Sequence, residues 1–269
     1  MPFGYRPARP VPHEVSLTVQ PGEHLAIVRP TGASKSSLLS LIAGLHVPST
    51  GQVRLGGHDP RVLGDRDRRA LLGYVPQTVT LFGGTVTDNV TLGDRELTDG
   101  QVQQAARTAG VDRFIAALPY GYDTRISDSA RGSGAQLSAG QRQLLALARA
   151  LVTQPDVLLL DEATAVIDGA SDATFRAALR DRALPTGTAV LTVAHRLTTA
   201  HEADRVVVLV GGRVREYGRR RSCLLPAAGS PTWWRWTTPA TTGSTTCHSI
   251  LPAVRARSRP ASTEVRFRW

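Results

Sequence analysis

Lys35 is the only lysine among 269 residues, and the other 31 basic side chains are arginine. It stands in the run Ala26-Ile27-Val28-Arg29-Pro30-Thr31-Gly32-Ala33-Ser34-Lys35-Ser36-Ser37-Leu38-Leu39. That run reads as a hydrophobic strand, a turn of small residues and a helix opening on Lys-Ser. The layout suits a loop whose backbone N–H groups cradle phosphates, while the lysine reaches the β/γ-phosphates and the serine hydroxyl meets Mg²⁺. A compact ammonium kept in an otherwise all-guanidinium chain fits that place. Against the pattern G-x-x-x-x-G-K-[ST], however, Arg29 and Ser34 stand where glycines are expected, leaving Gly32, Lys35 and Ser36. Alone, the loop also reads as a plain strand–loop–helix with an exposed lysine at the helix start.

Further candidates lie downstream. Val157-Leu158-Leu159-Leu160-Asp161-Glu162 is an apolar strand ending in two acids. At the C-terminal end of a buried strand, one carboxylate can hold Mg²⁺ and the next can polarise a water. The bland alternative is an acidic loop capping the next turn. In Leu137-Ser138-Ala139-Gly140-Gln141, Ser138 can cap a helix with Gln141 completing a capping box. The same free N–H groups, hydroxyl and glycine also make an anion site, and both readings can hold together. His195 follows a strand-like run and Gln77 sits in a loop; each alone means little.

These residues need elements to position them. Strand-like runs lie at 15–19, 23–28, 157–161, 188–193 and 205–210, and the last three are near-continuously apolar, as in parallel strands buried on both faces. Helical patterns lie at 35–45, 99–109, 138–153 and 171–181. The alternation predicts an α/β layered core. Residues 80–153 contain no convincing strand and several helical patterns, so they read as a helical insertion.

Composition adds bounds. No run of about 18 apolar residues exists to cross a membrane as a helix, and the N-terminus lacks the apolar core of a signal peptide. Two cysteines, Cys223 and Cys247, give no disulfide framework and fit a reducing cytoplasm. The net charge of +10 belongs to one end: residues 219–269 hold nine Arg and one acid (Glu264), a net of +8. Residues 1–218 hold 23 basic and 21 acidic residues, a net of +2. The tail also carries all four Trp, both Cys and the run Thr237 to Thr246, without periodicity. A boundary is placed near Gly218, with 219–269 expected to be a disordered, Arg-rich, low-complexity tail.

Taken in order, the lysine loop, Gln77, Ser138-Ala139-Gly140-Gln141, Asp161-Glu162, Asp168 and His195 resemble the nucleotide-binding domain of an ABC transporter. Residues 29–36 resemble its Walker A loop, Gln77 its Q-loop glutamine, 137–141 its signature and 158–164 its Walker B strand. Asp168 matches the D-loop, His195 the switch histidine, and Tyr5 lies about where the family stacks an aromatic on adenine. The stretches 81–90 and 118–124 resemble exporter-type domains. The resemblance covers roughly residues 3–218. It implies a P-loop NTPase (RecA-like) core with a small antiparallel β subdomain and a helical subdomain at about 80–153.

The resemblance also implies a mechanism. Two such domains pair head to tail, as a homo- or heterodimer, around ATP and Mg²⁺. Tyr5, Thr31, Gly32, Ala33, Ser34, Lys35, Ser36 and Ser37 would bind the nucleotide from one side. Ser138, Gly140, Gln141 and Asp168 would close from the partner's side. Ser36, Gln77 and Asp161 would sit on Mg²⁺, Glu162 would be the general base, and His195 and Gln77 would sense the γ-phosphate. The domain would lie at the inner face of the membrane, cytoplasmic, powering export through a separately encoded transmembrane domain.

Departures from the family pattern support a second expectation. Ser34 in place of glycine would cost about 1–3 kcal/mol if the position needs a conformation that Cβ disfavours, which is about 5- to 150-fold in affinity. Gly132 stands where the exporter domain has an acid that touches the membrane domain. The chain starts almost at Tyr5, and after Gly218 the resemblance stops, as if a GC-rich gene were read out of frame. The alternative is therefore a truncated, degenerate ABC domain with weak or no ATPase activity. A reading from another class is nucleic-acid binding by the basic, tryptophan-bearing tail; disorder without function is favoured over it.

Overall fold

The computed structural model describes residues 17–28, 35–48, 52–126, 134–165, 167–194, 200, 202–210 and 213–219. In chain order these form β1 (His24–Val28), α1 (Lys35–Ile42), α2 (Asp65–Leu71), β2 (Leu72–Val75), β3 (Gly84–Thr85), α3 (Val86–Thr91), α4 (Asp99–Ala109) and α5 (Asp112–Ala116). There follow β4 (Arg125–Ile126), α6 (Ala139–Leu151), β5 (Val157–Asp161), α7 (Gly169–Ala178), β6 (Ala189–Ala194), β7 (Arg205–Val210) and β8 (Arg213–Arg219). One sheet has the order β2-β5-β6-β1-β7-β8. Its first five strands run parallel, and β8 closes the edge antiparallel to β7.

The apolar runs become central strands because both of their faces are covered. Along β5, Leu158 and Leu160 join the core that contains Val102, Leu145, Leu147 and Phe175 of the helices on one face. The alternate residues Val157 and Leu159 join Leu25, Ile27, Leu38, Leu39 and Ile42 on the other. A side-chain period of two on a strand buried on both sides produces the continuous hydrophobic run.

Local sequence sets the helix ends. Thr98 and Gln101 form a capping box at the start of α4, whose end is turned by Gly110 at φ 77°. Ser138 and Gln141 form the capping box expected for α6. Gly73 in β2 admits a close approach to α6: a Cβ there would lie 2.4 Å from the carbonyl oxygen of Ala150, near the end of that helix.

Several expectations are corrected. Residues 17–19 are not in a strand, although Leu17 and Val19 are buried; the alternation reports burial under the second core, not a ladder. The stretch 80–153 does contain strand, since Gly84 and Thr85 pair antiparallel with Ile126 and Arg125. Two-residue strands are too short to leave a periodic signal. Two further strands carry no apolar run: β2, four residues with a glycine inside, and β8, an edge strand rich in Arg. Among the described residues, no helix is long and apolar enough to cross a membrane.

Candidate functional site

Parallel pairing brings several chain exits to one edge. Val28 is opposite Ala194, Asp161 opposite Val193, and Val75 opposite Leu160. The segments that follow β1, β5, β6 and β2 therefore all leave the sheet at its carboxyl end. Ligands of open α/β sheets bind outside that end. The segment after β1 returns at Lys35, the first residue of α1. Tyr5, Thr31, Gly32, Ala33, Ser34 and His195 lie outside the described residues, as do the side chains of Lys35, Ser36 and Ser37.

At the end of β5 the chain turns sharply. Glu162 has φ 48°, a left-handed conformation uncommon for a residue with a Cβ. Holding it there costs on the order of 1–3 kcal/mol. Two backbone bonds hold the turn: Glu162 N donates to Val193 O at 3.2 Å, and Ala165 N to Glu162 O at 2.9 Å. The result is a mostly buried carboxylate whose Oε2 accepts from Gln77 Nε2 at 3.0 Å.

Gln77 is placed by its neighbour. Gln143, a buried glutamine of α6, donates Nε2 to Pro76 O at 3.0 Å. The loop after β2 is thus tied to the strand acids on one side and to α6 on the other. Asp161, the first acid, accepts from the Tyr74 hydroxyl of β2 at 3.4 Å. Burial, with the Asp161 charge beside it, pushes the Tyr74 phenol up to about 12. Neither Tyr74 nor Gln143 was singled out from sequence; the signal for Gln143 was a polar residue on the buried face of an amphipathic helix.

A second group gathers at the starts of α6 and α7. Ser138 accepts from Gln141 N and is itself exposed. Asp168 caps α7 by accepting from Ala170 N at 3.1 Å and Ser171 N at 2.9 Å, and its other oxygen accepts from Ser171 Oγ at 2.7 Å. The Ser171 backbone N–H and then its hydroxyl hold the Asp168 carboxyl below the usual carboxylate range. Gly140 is buried in the first turn of α6, directly against Ser171 and Asp168.

The Asp161 carboxylate at the end of β5 is a hard oxygen donor of the kind that suits Mg²⁺. A helix opening after a strand at a sheet's carboxyl end suits a phosphate. This is the fold of a P-loop nucleotide-binding domain. The profile of the ABC transporter family matches residues 12–165. The chain belongs to that family, and its ATP-binding domain is of the exporter type.

Relatives agree. It is 43% identical over 231 residues to the mycobactin import ATP-binding/permease protein IrtA of Mycolicibacterium smegmatis, covering 84% of this chain and 26% of that protein. It is 36% identical over 222 residues to a fatty acid ABC transporter ATP-binding/permease protein of Mycobacterium bovis, covering 82% of this chain and 34% of the relative. A bacterial Atm1-family ABC exporter solved with ATP bound aligns with a TM-score of 0.69 at 35% identity, covering 81% of this chain and 37% of that one. The chain thus spans about a quarter to a little over a third of these relatives.

Proposed function

We propose that this chain hydrolyses ATP as one half of a head-to-tail pair of such domains and drives transport through a membrane domain. The observation that carries the reading is the Gln77–Glu162 contact at the carboxyl end of β5, beside Asp161 and at the same end of the sheet as Val28, the last residue of β1. In this reading Lys35 and the amides opening α1 bind the phosphates, with Thr31, Gly32, Ala33, Ser34 and Ser37 around them. Tyr5 stacks on the base. Ser36, Gln77 and Asp161 hold Mg²⁺, which when bound neutralises phosphate charge and orients the β- and γ-phosphates.

Glu162 accepts a proton from the attacking water, and Gln77 keeps the carboxylate aimed. Ser138, Gly140, Gln141 and Asp168 of the partner subunit's equivalent surface complete the site, and His195 contacts the γ-phosphate. Pairing in ATP and separation after hydrolysis then shift a membrane domain between two states. Relatives carry a permease on the same chain, as their names state, which supports a membrane domain as partner and the inner membrane face as location. Exporter-type describes the domain, not the direction of cargo, since one relative is named for import.

A second reading is favoured by the two glycines replaced in the phosphate loop, Arg29 and Ser34: a degenerate domain that binds ATP weakly. Titration with Mg-ATP decides between them, with Lys35→Ala as the binding control and Glu162→Gln as the turnover control. Saturable binding lost in the lysine variant, with turnover lost in the glutamate variant, supports the first reading. No binding up to millimolar ATP supports the second.

A further inference from the structure

Gly140 and Ser171 compete for the same space. A Cβ at position 140 would lie 2.0 Å from Ser171 Oγ, 2.5 Å from Ser171 Cβ and 2.9 Å from Asp168 Oδ2. Rotating the hydroxyl away would not remove the overlap with Cβ. The first turns of α6 and α7 therefore touch backbone against side chain, and only glycine at 140 permits it.

Ser171 does a second thing from the same position. Its N–H donates to Asp168 Oδ1 at 2.9 Å and its hydroxyl to Asp168 Oδ2 at 2.7 Å. An N-cap needs only the first of these bonds to satisfy the helix. The hydroxyl bond adds something else: it fixes the second oxygen, and so the rotation of the carboxylate. One serine thus sets the rotation of Asp168 while forming the surface on which Gly140 rests.

We propose that Ser171 is a positioning residue that locks the Ser138–Gln141 turn to Asp168, so that both move as one rigid unit within a chain. Its functional meaning rests on the proposed ATP-driven pairing, in which both elements would reach the nucleotide held by the partner. The lock itself is a property of the single chain. Any displacement of α6 then carries Asp168 with it, and any displacement of Asp168 is felt at Gly140.

The test uses the full chain and does not depend on turnover. Hydrogen exchange is followed in peptides covering 137–144 and 167–175 for the wild type and S171A. The cap to Asp168 Oδ1 survives that substitution, so α7 stays folded. Exchange is expected to rise in both peptides together, by about tenfold, the scale of one hydrogen bond to a charged group. A rise confined to 167–175 overturns the lock. A melting cycle of G140A, S171G and the double variant adds a second readout. The double variant should melt higher than the sum of the single losses predicts, because S171G removes the atoms nearest the new Cβ; additive losses overturn the proposal.

Where the wild type turns over ATP, S171A should lower kcat about tenfold with KM little changed, and an unchanged kcat denies the lock a role in the reaction. A wild type without turnover counts against the hydrolysis reading alone, while the exchange and melting data still decide the lock.

Discussion

Gln77 and Glu162, 85 positions apart in sequence, are joined by one hydrogen bond from Nε2 to Oε2 of 3.0 Å. The bond spans two adjacent strands, because β2 pairs with β5 and both residues follow their strand ends. It gives the glutamate a fixed direction that its left-handed backbone alone would not. Glu162→Gln keeps the shape of the side chain but removes its basicity. Turnover should fall about 100- to 10,000-fold, the range for losing a general base, with ATP binding retained. Gln77→Ala leaves the base in place but removes its aim and one of the proposed Mg²⁺ contacts, and kcat should fall at least about tenfold, yet less than for Glu162→Gln. Steady-state kinetics of the two variants checks the order; equal losses would count against Glu162 as the general base.

The phosphate loop makes a separate prediction. If Ser34 sits where glycine is needed, Ser34→Gly should tighten ATP binding about 5- to 150-fold. Calorimetric titration of both proteins with Mg-ATP measures this. An unchanged dissociation constant would show that serine adopts the loop conformation without strain, and would remove the main support for a degenerate site.

Gly73 offers a test of how β2 is set. A methyl group there would meet the Ala150 carbonyl at 2.4 Å, with the Pro155 ring at 3.0 Å and a Leu158 methyl at 3.1 Å. None of these neighbours is the end of a flexible surface chain. Gly73→Ala should destabilise by about 1–3 kcal/mol, the cost of overpacking a filled interior. Gly83→Ala, which would meet nothing within 4 Å, is the control. Urea midpoints compare the two, and similar midpoints would refute the tight packing of β2 on α6.

The central strands and long helices were legible because burial imposes a period. β5 at Val157–Asp161 and β7 at Arg205–Val210 appear where apolar runs placed them, and α4 at Asp99–Ala109 where the helical pattern did. Elements whose stability comes from neighbours were not. β2 owes its place to pairing with β5 and to a glycine pressed on α6, and β8 is a polar edge held by one ladder. The same division runs through the site. Glu162, Gln77 and Ser138 could be picked out by motif order, and Ser138 by its capping box. Ser171 could not, because its partner Gly140 is distant in sequence and carries no side chain to suggest a contact.

His24 gives the fold a dependence on pH. It opens β1, is 5% exposed, and its Nε2 lies 2.8 Å from Thr192 Oγ1 on the neighbouring β6. Burial pulls its imidazole down to about 4 from 6.5, against the opposing pull of Asp204. The unfolded chain takes up a proton near pH 6.5, while the folded chain resists until near pH 4. The unfolded state thus binds more protons in that window, and stability rises with pH across it. Well above pH 6.5 the imidazole is neutral in both states and contributes no slope. Acidifying from pH 6.5 to 4 should therefore cost about 3 kcal/mol from this residue alone, at 1.4 kcal/mol per pH unit. His24→Gln cannot take up that proton, so its stability should fall less steeply over the same window, whatever it loses at pH 7. Denaturant unfolding at pH 7, 5.5 and 4.5 measures both slopes. Parallel curves for the two proteins would show that His24 titrates alike in the folded and unfolded chain.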